Sequence, residues 1–428
     1  MKSIGRAVAS VAAAVMLVQC GCAGKQIVRS QREQTVISLA WWGNDPRTEY
    51  TLEAVQKFQE LHPDIKVNCN YSEWSGYEAR NRIRMVSETE SDVMQINVGW
   101  LDDFSEDGTG YYDLGKVSDV LDLSNFSEST LKYGTRNGVL NAIPIAMNTE
   151  TVYINKTVFD SYGLAVPQTW DDLFAAADVL SKEDIYPLCG ASKAIWLYTI
   201  AYAEQKTGKS FFDDSGAIAF TPEELQVMIE FYDGLVDRKV IPKVEDFKKV
   251  KVENGTCAGA VAWVSDAMNY FGTSIDRGDE IVAADYTAFS SADSGAGWYE
   301  KPATLYAMSK NTTHPKEAAM LLDFLLNNKD MALLQGVEKG IPISRAAQSY
   351  LDEAGMLSGL QYEASVVMDS NTKLREMSPL IENNDLISEF NDACNLVLYD
   401  KATAEEAAQQ LYDTYAESFR MANSAAKY

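Results

Sequence analysis

Alternating strand and helix patterns near the amino terminus constrain the fold of this chain more than any other feature. Short apolar runs and apolar-polar alternation predict strands, and apolar residues at helical spacing predict the helices between them. The predicted order is a strand at 35–41, a helix at 48–61, a strand at 65–71, a helix at 77–89 and a strand at 92–97. This order is typical of a doubly wound sheet, so the sequence predicts an α/β fold.

Capping signals predict further helices downstream. Thr169, Thr221 and Thr403 are each followed three positions later by an acidic residue, as in a capping box. Pro315 opens a predicted helix that continues to residue 326. Because the chain has 428 residues, it is too long for a single hydrophobic core, and we expect two lobes.

The first residues have the pattern of an export signal. Lys2 and Arg6 precede an uncharged, mostly apolar stretch, and small residues follow it. The sequence predicts a lipoprotein signal peptide over 1–22 and a polar tether over 23–34. Cys22 is the preferred lipid anchor because Gly21 precedes it, and Cys20 is the alternative. No later segment offers about 20 consecutive apolar residues, so no transmembrane helix is expected in the mature protein.

Composition argues against several functional classes. The chain has 62 acidic and 37 basic residues and a net charge of −25, which disfavours nucleic acid as a partner. The two histidines, His62 and His314, each precede a proline and are a poor supply for a metal site or a general base. The other cysteines lack the spacing of a metal site or disulfide framework, and we expect buried thiols at Cys69, Cys189, Cys257 and Cys394. No cofactor, metal or catalytic residue is predicted.

Tryptophan placement indicates a binding surface. Seven of the eight tryptophans lie at predicted strand ends or in loops, and only Trp170 lies at a helix start. Flat aromatic faces suit the apolar faces of a neutral ligand such as a sugar. The alternative is that they fill the core, since tryptophan is highly buried on average. The seven are Trp41, Trp42, Trp74, Trp100, Trp196, Trp263 and Trp298.

Five stretches in a fixed order carry a resemblance to a known family. They are Phe58–Val67, Ile143–Phe159, Gly163–Leu173, Asn254–Val261, and His314–Ala319 with Gly340–Ile343 downstream. Together they resemble the extracellular solute-binding proteins of bacterial ABC importers, in the family that includes maltodextrin-binding proteins. The stretches cover nearly the whole predicted mature chain, and they do not specify a ligand.

The resemblance implies a two-lobed protein that closes on its ligand. It implies an amino-terminal lobe of 35–147 plus 265–309 and a carboxy-terminal lobe of 148–264 plus 310–428. The crossings are expected near 146–148, 264–265 and 307–310. It also implies that the ligand sits between the lobes, that the loaded protein docks on permease subunits and that no covalent chemistry occurs. The signal pattern predicts a lipid anchor on the extracellular face of the cytoplasmic membrane, and the tryptophans predict a neutral oligosaccharide as the ligand. We expect a monomer.

The predicted ligand-binding residues combine tryptophans with polar neighbours. Each polar candidate adjoins a tryptophan, an expected crossing or one of the five stretches, and its alternative role is a turn, a cap or a solvated charge. The set is Trp42, Asn44, Glu73, Trp74, Asn97, Trp100, Asn148, Trp196, Trp263, Asp266, Trp298 and Arg345.

Other functions remain open at the level of sequence. A peptide or polyamine ligand is the main non-sugar alternative, and polyamines would suit an acidic pocket. A glycoside hydrolase would need two opposed carboxylates, which so acidic a chain can supply anywhere. Tyr111 and Tyr112 suggest ferric-ion binding but are more simply explained as a loop anchor. A surface adhesin or a sensor subunit is a further alternative.

Overall fold

The computed structural model of the protein describes residues 34–213 and 216–422. The predicted signal peptide, the candidate anchors Cys20 and Cys22, and the tether up to residue 33 therefore lie outside the described residues.

Eleven strands and fifteen α-helices are described in these two ranges. The strands are β1 (Thr35–Trp42), β2 (Ile65–Ser72), β3 (Val93–Ile96), β4 (Thr135–Arg136), β5 (Val139–Leu140), β6 (Ala142–Asn155), β7 (Cys189–Gly190), β8 (Gly259–Trp263), β9 (Ile281–Ala284), β10 (Tyr299–Met308) and β11 (Arg375–Glu376). The helices are α1 (Asp45–Leu61), α2 (Trp74–Val86), α3 (Gly99–Ser105), α4 (Glu128–Lys132), α5 (Lys156–Ser161), α6 (Trp170–Leu180), α7 (Ser192–Thr207), α8 (Pro222–Asp237), α9 (Ala267–Asp276), α10 (Pro315–Asn327), α11 (Lys329–Gln335), α12 (Arg345–Glu353), α13 (Leu360–Ser370), α14 (Asn384–Leu398) and α15 (Ala404–Ser418).

A long strand, β6, links the sheets of the two lobes. The strand order is β2-β1-β3-β10-β6-β8-β7, with β9 also paired to β6 and β11 to β10. β1 runs parallel to β2 and β3, whereas β10 is antiparallel to β3 and β6. Residues 142–149 of β6 pair with β10, and residues 150–155 pair with β8 or β9. β6 therefore passes from one sheet to the other at about residue 149.

Two large cores support the two-lobed α/β prediction, which is confirmed. The amino-terminal core packs α1 and α10 against β1 and β10, with Trp41, Phe58 and Tyr306 fully buried. The carboxy-terminal core packs α6, α7, α8, α14 and α15 together around Trp170 and Trp196. Each lobe thus has its own buried apolar centre, as expected for a chain of this length.

After residue 264, the packing of the helices differs from the predicted lobe boundaries. Residues 265–309 were assigned to the amino-terminal lobe, yet α9 packs on β8 and β9, and Trp298 lies in the carboxy-terminal core. Residues 310–353 were assigned to the other lobe, yet α10 and α11 supply the amino-terminal core and α12 packs on both. Since buried apolar contacts decide lobe membership, we infer crossings within β6, within β10 and between α12 and α13.

Local signals place the helix starts correctly. The boxes at Thr169, Thr221 and Thr403 form with both reciprocal hydrogen bonds, and Pro315 is the first residue of α10. Within residues 34–213 and 216–422, no helix combines the length and apolar character that a membrane crossing requires.

Candidate functional site

An aromatic patch forms where β1 and β2 end. Because these parallel strands end at the same sheet edge, Trp42 and Trp74 meet there, with ring centroids 4.9 Å apart. Side chains alternate along a strand, so Trp41 enters the core while Trp42 stays half-buried on the other face. Tyr77 and the buried Trp100 support the pair from below. These four residues are the amino-terminal aromatic patch.

A second patch forms on β6, β8 and β10, where the two sheets join. Glu150 of β6 is in register with Trp263 of β8, and Asn148 is in register with Lys301 of β10. The Lys301 ammonium lies 4.6 Å from the centre of the half-buried Trp263 ring. Asn148 donates to the Ser265 hydroxyl at 3.0 Å. The crossing-strand patch comprises Asn148, Glu150, Lys193, Trp263, Lys301 and Glu382.

Two ammonium groups share one carboxylate in this patch. Lys193 donates to Glu382 at 3.1 Å, and Lys301 donates to the other oxygen of the same carboxylate. Burial opposes ionisation of Glu382, but Lys301 and Lys193 outweigh it and lower the pKa of this carboxyl. The three groups therefore carry one net positive charge.

Glu150 lacks the hydrogen bonds that a buried carboxyl normally makes. Both of its oxygens are shielded from solvent, and neither has a hydrogen-bond partner in the described part of the chain. Burial raises the pKa of Glu150 to about 8; Glu382 and Asp266 add to the shift, and Lys193 and Lys301 oppose it. At neutral pH this carboxyl is therefore mostly protonated, and the positive charge of the crossing-strand patch persists.

Strand β10 runs from the crossing-strand patch toward the carboxyl end of β3. Lys301 belongs to the crossing-strand patch, and Leu305 is in register with Ile96 at the carboxyl end of β3. Four residues of extended strand span about 13 Å. Leu305 and Ile96 pack in one buried cluster with Tyr77 and Trp100 of the amino-terminal patch.

The structure brings several predicted residues together. Trp42, Trp74 and Trp100 share the amino-terminal patch, although Trp100 is 1% exposed and supports the pair from beneath. Asn148 and Trp263 share the crossing-strand patch. Asp266 lies three residues beyond Trp263, and burial raises the pKa of its carboxyl despite a hydrogen bond from Asn269.

Three other polar candidates lie near strand ends and make mainly local contacts. Asn44 caps α1 by accepting from the Arg47 amide at 3.1 Å. Asn97 accepts from the Gly99 amide at 2.9 Å. Glu73 is exposed before α2 and makes no capping bond. Asn44 and Asn97 therefore fit the alternative roles of cap and turn residue, and Glu73 fits that of a solvated charge.

The structure places Trp196 and Trp298, both predicted to bind ligand, in the core of the carboxy-terminal lobe. Trp196 is 1% exposed and Trp298 is 2% exposed, so protein covers both faces of each ring. Their indole nitrogens donate to the backbone oxygens of Ile381 and Thr287. The loop before Trp298 packs closely on α7, since a Cβ at Gly297 would approach the Ala201 oxygen to 2.8 Å. That packing carries Trp298 into the core.

Arg345, which was also predicted to bind ligand, is not part of either patch. It is exposed at the first position of α12, which packs on α10 and α11. No contact joins it to either patch in the described residues, so the prediction that it binds ligand rests on the family resemblance alone.

Sequence reasoning missed the charged members of the crossing-strand patch. Lys193, Lys301 and Glu382 come from three distant segments, and only the tertiary fold brings them together. Glu150 carried a usable signal, because it is the single charged residue in the 14-residue strand β6. Because burying a carboxylate costs free energy, a single glutamate in a buried strand indicates a structural or functional role.

The described residues contain no group of three or more His, Cys, Asp or Glu that could hold a metal ion. Cys189, Cys257 and Cys394 are buried free thiols, and Cys69 is only half-buried.

Comparison with known proteins gives concordant matches. Residues 44–332 match the family described as bacterial extracellular solute-binding protein. A periplasmic solute-binding protein from Pectobacterium atrosepticum is 30% identical, with a TM-score of 0.81, over 90% of this chain and 98% of that one. A periplasmic oligogalacturonide-binding protein from Yersinia enterocolitica, solved with saturated digalacturonic acid, is 29% identical, with a TM-score of 0.77 and the same coverage. The melibiose/raffinose/stachyose-binding protein of Bacillus subtilis is 26% identical over 40% of each chain.

Proposed function

Because the chain belongs to the bacterial extracellular solute-binding protein family, we propose that it captures an oligosaccharide between its lobes and delivers it to an ABC transporter permease. The observation that carries this proposal is the pair of patches, one at the edge of the amino-terminal sheet and one where the two sheets join. Each patch offers a half-exposed tryptophan, and the crossing-strand patch adds ammonium and amide groups.

This arrangement suits the two chemical faces of a sugar. Ring C–H faces pack on tryptophan, while hydroxyl edges need hydrogen-bond partners such as Asn148, Lys193 and Lys301. Such sites are largely apolar with a few placed polar groups. Oligogalacturonides and raffinose-type sugars, the ligands in the relatives' names, belong to the same chemical class.

The lobes are proposed to close on the ligand without chemical turnover. We further propose a monomer on the extracellular face of the membrane, anchored through Cys22. Two acyl chains would hold it stably, whereas one holds poorly. Mass spectrometry of the mature protein tests the anchor, and an unmodified terminus beyond Cys22 would rule it out.

Titration with a ligand panel tests the function. The panel holds neutral and uronic-acid oligosaccharides, a polyamine and a short peptide, each followed by intrinsic tryptophan fluorescence. An oligosaccharide should bind, and Trp42→Ala should weaken it by about 1–3 kcal/mol, or about tenfold to over a hundredfold. Binding of the polyamine or peptide alone would refute the sugar assignment, and release of cleaved sugar would refute the absence of turnover.

A further inference from the structure

A cavity of about 590 Å³ lies at the outer edge of the carboxy-terminal lobe. It is open to solvent on one side and is lined by the end of β7, the segment 244–253 and the start of α9. Its volume is within the usual range for small-molecule sites. None of the residues predicted from sequence to bind ligand lines it.

The cavity lies near the crossing-strand patch, since Tyr270 of its lining interacts electrostatically with Glu150. β7 and β8 are parallel, so Gly190 at the end of one and Trp263 at the end of the other share a sheet edge. Ligands of such sheets bind beyond the carboxyl ends of the strands. Asn269, in the cavity wall, donates to Asp266 at 3.2 Å, and Ser192 precedes Lys193 of the patch.

The lining combines aromatic and aliphatic walls with positive charge. Phe247 and Tyr270 supply aromatic surface, beside the valines of the same segment. Lys248 is exposed in the lining and makes no ion pair or hydrogen bond within residues 34–213 and 216–422. Lys251, also in the lining, pairs with Glu253 at 3.1 Å. A free ammonium group beside an apolar cavity favours an anionic group there, even in a chain whose net charge of −25 opposes anions in general.

We propose that this cavity is an accessory subsite for an acidic sugar residue, a uronate, at one end of an oligosaccharide that begins between the two patches. The inference rests on the proposed function and adds a charge and length preference to it. The ring packs on Phe247 and Tyr270, and its carboxylate pairs with Lys248. The first-turn amides of α7, which lack a side-chain cap, add to the positive potential.

Oligouronates of two, three and four residues, each with its carboxyl-reduced neutral counterpart, provide the test. Calorimetric affinities are compared for the wild-type protein and for Lys248→Met, with Lys249→Met as the matched control. Lys249 is the next residue, is exposed, pairs with Asp246 and does not line the cavity. Val244→Trp, which fills the cavity from its wall, is the second variant, and its melting temperature verifies folding.

We expect the longer acidic chains to bind wild-type protein more tightly than the diuronate. Lys248→Met should reduce that gain by about 1.5- to fivefold, which is the range of an exposed ion pair. Val244→Trp should abolish the gain, and the control should keep it. Equal affinity for acidic and reduced long chains, or equal losses in Lys248→Met and Lys249→Met, would overturn the subsite. If no sugar of any length or charge binds wild-type protein, the proposed function itself fails.

Discussion

At the scale of single residues, the carboxyl of Glu150 should make stability depend on pH. An unfolded glutamate titrates near pH 4.3, whereas burial holds the pKa of Glu150 at about 8 in the folded protein. Between these values the folded state holds one more proton than the unfolded state. This group's contribution therefore lowers the free energy of unfolding as pH rises from about 4.5 to about 8, by up to about 1.4 kcal/mol per unit.

Glu150→Gln should remove this dependence. The variant should gain stability over the wild type between about pH 5 and pH 8, because a neutral amide carries no ionisation penalty. Urea unfolding at pH 5, 7 and 9 measures the difference, with Glu53→Gln on the exposed face of α1 as the control. If the free energy of unfolding changed with pH in the same way for the wild type and for Glu150→Gln, Glu150 would not have a raised pKa in the folded protein.

Substitution of Trp298 should mainly lower folding stability, and substitution of Trp42 should mainly lower ligand affinity. Trp298→Ala should cost about 3–5 kcal/mol of folding stability and leave affinity in the folded fraction unchanged, because the ring is core. Trp42→Ala should weaken the ligand with a smaller change in melting, because its ring is half-exposed. Thermal melting and titration on both variants decide this. Weak binding with normal melting in Trp298→Ala would return that residue to the site.

The sequence could predict which tryptophan rings are exposed only where the order of neighbouring strands determines their position. Trp42 ends β1 and Trp74 follows the neighbouring parallel strand β2, so local patterns place both at one edge of the sheet. Trp298 looked available because its surroundings are rich in glycine. The contact of Gly297 with α7, which buries it, joins segments far apart in sequence.

At the scale of secondary-structure elements, the segment before α12 is held against β6 by a glycine. Pro342 bridges to Ala146, and the Ile343 amide donates to the Ile145 oxygen at 3.1 Å. Gly340 has a φ of +97°, and a Cβ there would lie 2.9 Å from the Ala146 Cβ. The close approach of this segment to β6 therefore requires glycine.

Two glycine substitutions should change stability in opposite directions. Gly340→Ala should destabilise the protein by about 1–3 kcal/mol, because it adds backbone strain and a clash. Gly234→Ala, inside α8 with open space around its Cβ, should stabilise by about 0.5–1 kcal/mol. Denaturant unfolding of both variants provides the measurement. If both variants were more stable than the wild type, the segment before α12 would be able to move away from β6 without cost.

Element starts were predictable where a local signal exists. The three capping boxes and Pro315 involve residues within one helical turn, so the local sequence determines these helix starts. The first three strands are recognisable from the pattern of apolar residues in each of them. The lobe crossings after residue 264 were not predictable. Whether α9 or α10 joins one core or the other depends on which sheet it covers, and both helices have suitable apolar faces.

At the scale of the whole molecule, the lobes are joined where the chain crosses between them. Two of the inferred crossings lie in β6 and β10, and these strands are hydrogen-bonded to each other where they pass between the lobes. The third lies between α12 and α13. Hinge motion of this kind is absorbed by a few residues at such crossings. A ligand drives closure only to the extent that it binds the closed state more tightly than the open one.

Ligand binding should therefore shrink the molecule, and either patch should be needed for full affinity. Small-angle scattering should show a smaller radius of gyration with saturating oligosaccharide than without it. Trp42→Ala weakens the amino-terminal contact and Trp263→Ala the crossing-strand contact, so each should shift the transition to higher ligand concentration while leaving its endpoint unchanged. Trp298→Phe, a core change outside both patches, should follow the wild-type curve. An unchanged radius at saturation would mean that the ligand binds one lobe without bringing the other toward it.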